Sequence, residues 1–198
     1  DGKIADFRSY SKWITSEESR KRVHRLRSEV DAVLVGGNSV RLDNPELTCH
    51  GVADHDPLRL VLTRSVDFDN KLKVFAGNPQ PPTVLITADN AEPSLPVAKW
   101  QLTGDSDSRV DLGDLLQKAG KERICSLLVE GGRELFSGFI QAGLVDKYIF
   151  VIAPRLLGSG TAAFEEEKVK RSLQESVNIR IDRVEQRGAD IWIEGYPE

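Results

Sequence analysis

The segment Ile124–Gly138, ICSLLVEGGRELFSG, constrains this chain more than any other. Six mostly apolar residues, Ile124 to Val129, read as a buried strand, and Glu130, Gly131 and Gly132 follow directly. Leu135, Phe136, Phe139 and Ile140 then recur at helical spacing. A strand that passes through paired glycines into a helix aims unpaired backbone N–H groups and the positive end of the helix dipole at one spot, which suits a phosphate. Glycine lets such a ligand approach the main chain. Taken alone, Gly131–Gly132 reads better as an ordinary turn, because neither G-x-G-x-x-G nor G-x-x-x-x-G-K is present.

A second junction of the same kind changes that balance. Asp31–Val35, DAVLV, reads as a buried strand and runs into Gly36–Gly37, with Asn38, Ser39 and Val40 behind it. In open α/β sheets, strand ends that finish in glycine turns line a common crevice where nucleotides bind. Two such exits in one small domain point to a dinucleotide held from two sides.

The rest of the composition narrows the class. At 198 residues the chain is long enough for one domain with a full core. Net charge is −4 and the lysines and arginines are scattered, which argues against a nucleic-acid surface. The apolar runs are too short to span a membrane and no secretory signal is visible, so a cytoplasmic protein, or an organelle-lumen one that has lost a leader, is expected. Cys49 and Cys125 are the two cysteines, and Cys125, inside the expected strand, reads as a buried reduced thiol. His24, His50 and His55 show no metal-ligand spacing, and the zinc-deaminase signature H-x-E with P-C-x-x-C is absent.

In chain order, residues 1–14 read as a strand end and loop, and a strand before Asp1 is expected to lie outside this sequence. Thr15 and Glu18 form a capping-box pattern before a charged helix reaching about Ser28. Ser39–Asn44 is a short helical turn; Leu58–Leu62, Thr83–Thr87 and Ala98–Leu102 read as strands within a loop-rich middle. Leu112–Ala119 is an amphipathic helix, and the helix after Gly132 is stopped at Gly143. Tyr148–Ala153 is a strand, residues 155–176 are a loop with a charged run from Glu165 to Arg171, and 177–186 with 191–195 read as an antiparallel pair. Alternating strands and helices followed by strands alone indicate an α/β fold, a mainly parallel mixed sheet with flanking helices and antiparallel edge strands.

Several stretches are more specific. DGKIA at 1–5, SKWITS at 11–16, V-x-x-L-R at 23–27 and DAVLVGGNSVRLDNPELT at 31–48 resemble the reductase domain of riboflavin biosynthesis. LLVEGG at 127–132, AGLVDK at 142–147 and IAPRLLG at 152–158 continue the pattern in the same order. The resemblance implies a dihydrofolate-reductase-like fold and NADPH as cofactor. It also implies reduction of the ribosylamino group of a pyrimidine 5′-phosphate to ribitylamino. Residues 1–198 would then be a single reductase domain lacking its first strand, a homodimer in that family's manner, and a piece that bacteria fuse behind a deaminase domain.

Residue by residue, the resemblance places Trp13, Gly37, Ser39, Asp43 and the turn Gly131, Gly132, Arg133, Glu134, Leu135 (and on to Gly138) against NADPH. It places Ser11, Arg27, Leu47, His50 and Glu130 against the substrate, with Glu130 the catalytic candidate. Bland readings stand beside these: Arg27 as one more exposed helix arginine, Trp13 as core packing, Asp43 as part of a turn before Pro45, Glu130 as a dipole partner for the next helix. Many bacterial members carry arginine where this chain has His50; a histidine still donates to phosphate, but its charge depends on pH. Thr63-Arg64-Ser65 replaces the family's Asp-Ser or Asp-Thr, and Arg64 reads as a surface residue or as a partner for the cofactor's 2′-phosphate. Competing functions are a folate- or pterin-type reductase of the same fold and a non-catalytic nucleotide-binding domain.

Overall fold

Apolar runs bounded by turn residues become strands, and amphipathic runs, three of them with an acidic first turn, become helices. In the computed structural model, which describes residues 1–76, 82–164 and 171–198, they form β1 (Lys3–Asp6), α1 (Glu17–Ser28), β2 (Ala32–Gly36) and α2 (Gly37–Asp43). Next come β3 (Leu58–Leu62), β4 (Thr83–Thr87), β5 (Ala98–Gln101), α3 (Leu112–Lys121), β6 (Leu127–Val129) and α4 (Arg133–Ala142). The chain closes with β7 (Tyr148–Ile152), β8 (Gly160–Ala162), β9 (Ile179–Arg187) and β10 (Asp190–Pro197). Two compact units result: residues Asp1–Val23 with Phe136–Glu198, and residues His24–Leu135.

The unit His24–Leu135 holds a five-stranded sheet in the order β5–β4–β3–β2–β6, with every neighbouring pair parallel. Its three inner strands β2, β3 and β4 are buried on both faces, as near-continuous Val, Ile and Leu require. Val33, Val35, Val61 and Leu85 on one face pack in a single cluster with Val40, Leu47, Val66, Phe68 and Val74. Leu34, Leu60 and Ile86 alternate with them and are fully buried on the other face. Asp111 caps α3 by accepting the Asp114 N–H at 2.9 Å.

The other unit carries two antiparallel sheets, β7–β10–β9 and the pair β1–β8. Trp192 on β10 is wholly buried, and its indole N–H donates to Glu194 Oε1 at 3.0 Å.

Four local expectations change. The expected strand 124–129 shortens to Leu127–Val129, because the Cys125 and Ser126 N–H groups donate to the Asp31 carboxylate at 2.8 and 2.9 Å instead of to a neighbouring strand. Cys125 is consequently exposed, not buried; Cys49 is the buried thiol. The cap of α1 is Ser16, whose hydroxyl accepts the Ser19 N–H at 3.3 Å, rather than Thr15. Part of the expected loop 155–176 is strand β8, paired to β1; the charged run, apart from Arg171, lies outside the described residues.

Candidate functional site

Strand order sets the place of the site. From β2 the chain proceeds outward through β3, β4 and β5, then returns through α3 to β6 on the opposite side of β2. The sheet therefore changes direction between β2 and β6, and such switch points open a crevice at the carboxyl ends of parallel strands. Both glycine pairs stand at those ends. They are glycine for different reasons. A Cβ on Gly37 would lie 2.6 Å from Thr63 Oγ1 and 2.8 Å from Thr63 Cβ, so β3's exit forbids a side chain there. Gly131 and Gly132 have φ of +71° and +100°, left-handed backbone that other residues enter at a cost. Beside Gly131 the space for a Cβ is open, with nothing within 4 Å, and α4, ten residues long, begins at Arg133. Gly131 thus offers main chain at a helix start with room for a ligand against it.

Glu130 extends the ladder by one residue, its N–H donating to the Leu34 carbonyl at 2.8 Å. Its side chain meets Arg27 from the last turn of α1 in a two-pronged pair: Nε to Oε1 and Nη2 to Oε2, both 2.7 Å. The two side chains are 10% and 20% exposed. Burial works against the Arg27 charge, but the hydrogen bonds and charge of Glu130 outweigh it and hold the guanidinium above its ordinary pKa. Arg27 Nη1 also donates to the Thr48 carbonyl at 2.9 Å.

That last bond anchors a loop with unusual backbone. Asn44, Leu47, His50 and Gly51 all have positive φ. A second buried arginine, Arg59 on β3, donates to the Glu46 carbonyl at 3.2 Å, and burial pushes its guanidinium pKa down. Two guanidinium groups thereby grip the 46–48 main chain from the core side. Leu47 packs its side chain into the core cluster, so only its main chain is left for a ligand. His50 stacks on His24 of α1, ring centroids 4.2 Å apart and 28° between planes. Glu46 lies 3.7 Å from His50 Nδ1 and is itself held by Lys73 Nζ at 2.7 Å.

The structure thus joins Arg27, Leu47, His50 and Glu130 around one loop. Ser39 Oγ lies 3.5 Å from where a Gly132 Cβ would stand, which brings α2 beside the second turn. Asp43 closes α2, ahead of Asn44, whose Oδ1 accepts the Lys73 N–H at 2.7 Å. Arg133 and Glu134 are exposed at the start of α4, and Leu135 is buried. Arg64 is exposed and 3.8 Å from Glu134, a surface pair. Ser11 and Trp13 belong to the other unit. Trp13 is 62% exposed with the Arg20 guanidinium 4.4 Å over its ring, so the core-packing reading of this residue fails. Sequence reasoning missed His24 and Arg59. The signal for His24 was its i, i+3 spacing from Arg27, which puts both on one helix face; Arg59 sits mid-strand in LRLVL and gave none.

Residues 1–193 match the family model described as the RibD C-terminal domain. The chain belongs to that family. The riboflavin biosynthesis protein RibD of Aquifex aeolicus is 34% identical to this chain over 194 residues, which cover 98% of this chain and 54% of that protein. The 2,5-diamino-6-ribosylamino-4(3H)-pyrimidinone 5′-phosphate reductase of Methanothermobacter thermautotrophicus is 32% identical over 98% of this chain and 92% of its own. Among solved structures, the deaminase/5-amino-6-(5-phosphoribosylamino)uracil reductase of Thermotoga maritima superposes with a TM-score of 0.85 at 30% identity, over all of this chain and 54% of that one. This chain therefore spans about half the length of the RibD relatives it matches. Its fold is the dihydrofolate-reductase-like α/β fold of these reductase domains.

Proposed function

We propose that this RibD-family chain is the pyrimidine reductase of riboflavin biosynthesis, an oxidoreductase that reduces a ribosylamino pyrimidine 5′-phosphate to its ribitylamino product with NADPH. The observation that carries it is the Glu130–Gly131–Gly132 turn at the sheet's switch point, beside the buried Arg27–Glu130 pair. The residues present suit a nicotinamide dinucleotide: open main chain at Gly131, the start of α4, and Ser39 across from Gly132. Trp13, Gly37, Asp43, Arg133, Glu134 and Leu135 complete the proposed cofactor set. When bound, NADPH supplies the hydride.

The chain's own residues bind and orient. Glu130 reads as a lone carboxylate waiting for developing positive charge only if it is unpaired, and Arg27 already meets its charge. The pair instead acts as a rigid hydrogen-bonding platform whose remaining carboxylate lone pairs and guanidinium N–H groups fix the pyrimidine or sugar. Ser11, the Leu47 main chain and His50 are the other proposed substrate contacts.

Three further elements belong to this reading. The whole of residues 1–198 serves as one reductase domain, with a fused deaminase in a longer protein as in the Thermotoga relative. A homodimer is supported by exposed Ile181 and Val184 on β9, each 58% exposed. A cytoplasmic or organelle-lumen location accords with the described helices, none of which is long and apolar enough to cross a membrane. Loss of NADPH absorbance on adding either the deaminated or the 2,5-diamino pyrimidine phosphate tests the reaction. Turnover of dihydrofolate but of neither pyrimidine would overturn it.

A further inference from the structure

The motifs SKWITS at 11–16 and IAPRLLG at 152–158 lie in the same compact unit, and Arg155 joins them: its Nη1 donates to the Trp13 carbonyl at 3.0 Å. Two residues further on, the Thr15 carbonyl accepts from Arg20 Nη1 at 2.6 Å, and the Ser16 N–H donates to the Asp190 carboxylate at 2.7 Å. Charged side chains therefore hold three main-chain groups between Trp13 and Ser16, and hydrogen bonds of that kind are the strong ones. The side chain on this fixed backbone is not packed away. Trp13 is 62% exposed, and the Arg20 guanidinium lies 4.4 Å over its ring. With one face of the indole covered by a cation, the exposure leaves the opposite face to a flat ligand.

The charge behind the ring is positive. On the first turn of α1, Glu17 is taken by Lys21 at 2.8 Å, and Glu18 Oε2 lies 2.6 Å from where a Gly188 Cβ would stand. Asp190 is buried and spent on Ser16 and Ser19. Arg20 and Arg155 donate to neutral carbonyls, which do not cancel their charge. This matters for the kind of ring that Trp13 accepts. A bare indole draws a cationic ring onto its face. A guanidinium fixed on the far side opposes that attraction, since a cationic ring stacked on the near side puts two positive charges about 8 Å apart. A neutral ring meets no such opposition.

We propose that Arg20, acting through the indole of Trp13, is a specificity-determining residue that biases binding toward the neutral, reduced nicotinamide and against the cationic, oxidised one. This rests on the reading above that Trp13 touches the cofactor, and it adds which end of the cofactor lies there. The cofactor's phosphates feel Arg20 equally in both oxidation states, so their attraction drops out of the comparison and the charge of one ring remains. A nicotinamide that has given up its hydride is cationic, so the same guanidinium promotes departure of the spent cofactor. Arg155 and Asp190 are positioning residues, because they hold the main chain that sets Trp13 against Arg20.

Calorimetric titration of the intact chain with NADPH and with NADP⁺, without pyrimidine, reads the bias as the ratio of two Kd values. Arg20→Gln should shift that ratio toward NADP⁺ by about threefold to tenfold at low salt, and by less at high salt, because the ring is exposed. Arg20→Lys keeps the charge and should keep most of the bias. Trp13→Leu should weaken NADPH, and adding Arg20→Gln to it should leave the ratio where Trp13→Leu alone put it. A merely structural role for Arg20 weakens both nucleotides by the same factor, and that result overturns the proposal. Adenosine 2′,5′-bisphosphate, which has no nicotinamide, should bind Trp13→Leu as it binds wild type; if it weakens as much as NADPH does, the adenine end lies on Trp13 and the assignment falls. Wild type that binds neither NADPH nor NADP⁺ sinks the reductase reading beneath. Tight binding of both with a ratio blind to Arg20 sinks this proposal alone.

Discussion

Arg27 and Glu130 stand 103 residues apart in sequence and meet in a two-pronged hydrogen-bonded pair, both distances 2.7 Å. The bond ties the last turn of α1 to the exit of β6, and through the Thr48 carbonyl it also sets the loop that carries His50. One buried guanidinium therefore orients three parts of the proposed substrate site.

Breaking this pair should damage binding geometry and stability together. Arg27→Ala leaves Glu130 partly buried without its cation, and Glu130→Gln leaves Arg27 in the same state. We expect each to lose about 2–4 kcal/mol in urea denaturation, near the lower end for buried pairs because Glu130 is not fully enclosed. Arg27→Lys keeps a charge but not the planar fork; its kcat/KM should fall by about tenfold to a hundredfold with less loss of stability. Wild-type kinetics in Glu130→Gln would remove the pair from the site.

The glycine pairs should respond differently to alanine. Gly37→Ala drives a Cβ into Thr63, and overpacking of this kind costs about 1–3 kcal/mol; Thr63→Ala in the same chain should recover part of it. Gly131→Ala meets open space and carries only the left-handed backbone cost of about 1–2 kcal/mol. Its effect on NADPH affinity, read by fluorescence titration, should be larger, at least tenfold. An unchanged NADPH affinity in Gly131→Ala would show that the cofactor does not lie against that residue.

Acid sensitivity should trace in part to Asp190. This buried carboxylate accepts the Ser16 N–H at 2.7 Å and the Ser16 hydroxyl at 2.8 Å, tying β10 to the start of α1. Burial raises its pKa, but the hydrogen bonds from Ser19 and Ser16 outweigh burial and leave it below the ordinary aspartate value. A carboxyl depressed in the fold contributes stability above its unfolded pKa, about 3.9, and loses that contribution as pH falls through the lower folded value. Asp190→Asn should therefore be less stable by about 1–3 kcal/mol at neutral pH. The gap to wild type should narrow toward about pH 3. Equal loss at both pH values would count against a role for the ionised form.

Thiol labelling should separate the two cysteines. Cys125 is exposed before β6, while Cys49 is buried and donates its S–H to the Ala53 carbonyl at 3.1 Å. One thiol should react quickly with an aromatic disulfide reagent in the native protein and the second at least about ten times more slowly, until denaturant is added. Mass spectrometry should find the fast label on Cys125.

Local sequence carried the elements that depend on short-range pattern. Continuous apolar runs at 58–62 and 83–87 became strands with those bounds, and the helix reaching Ser28 ended there, because burial on both faces or on one stripe leaves a period in the sequence. The positive φ at Gly131 and Gly132 was likewise announced by residues that alone enter that region cheaply. Other features depended on partners far away in the chain. Asp31 shortened the expected strand at 124–129 by capturing two N–H groups some 95 residues on, so Cys125 came out to solvent. The engagement of Arg27 with Glu130, the stacking of His24 on His50 and the burial of Arg59 could not be read locally either. Hydrophobic spacing states which face of an element is buried, and a charged side chain's partner is chosen only when the sheet order brings distant elements together.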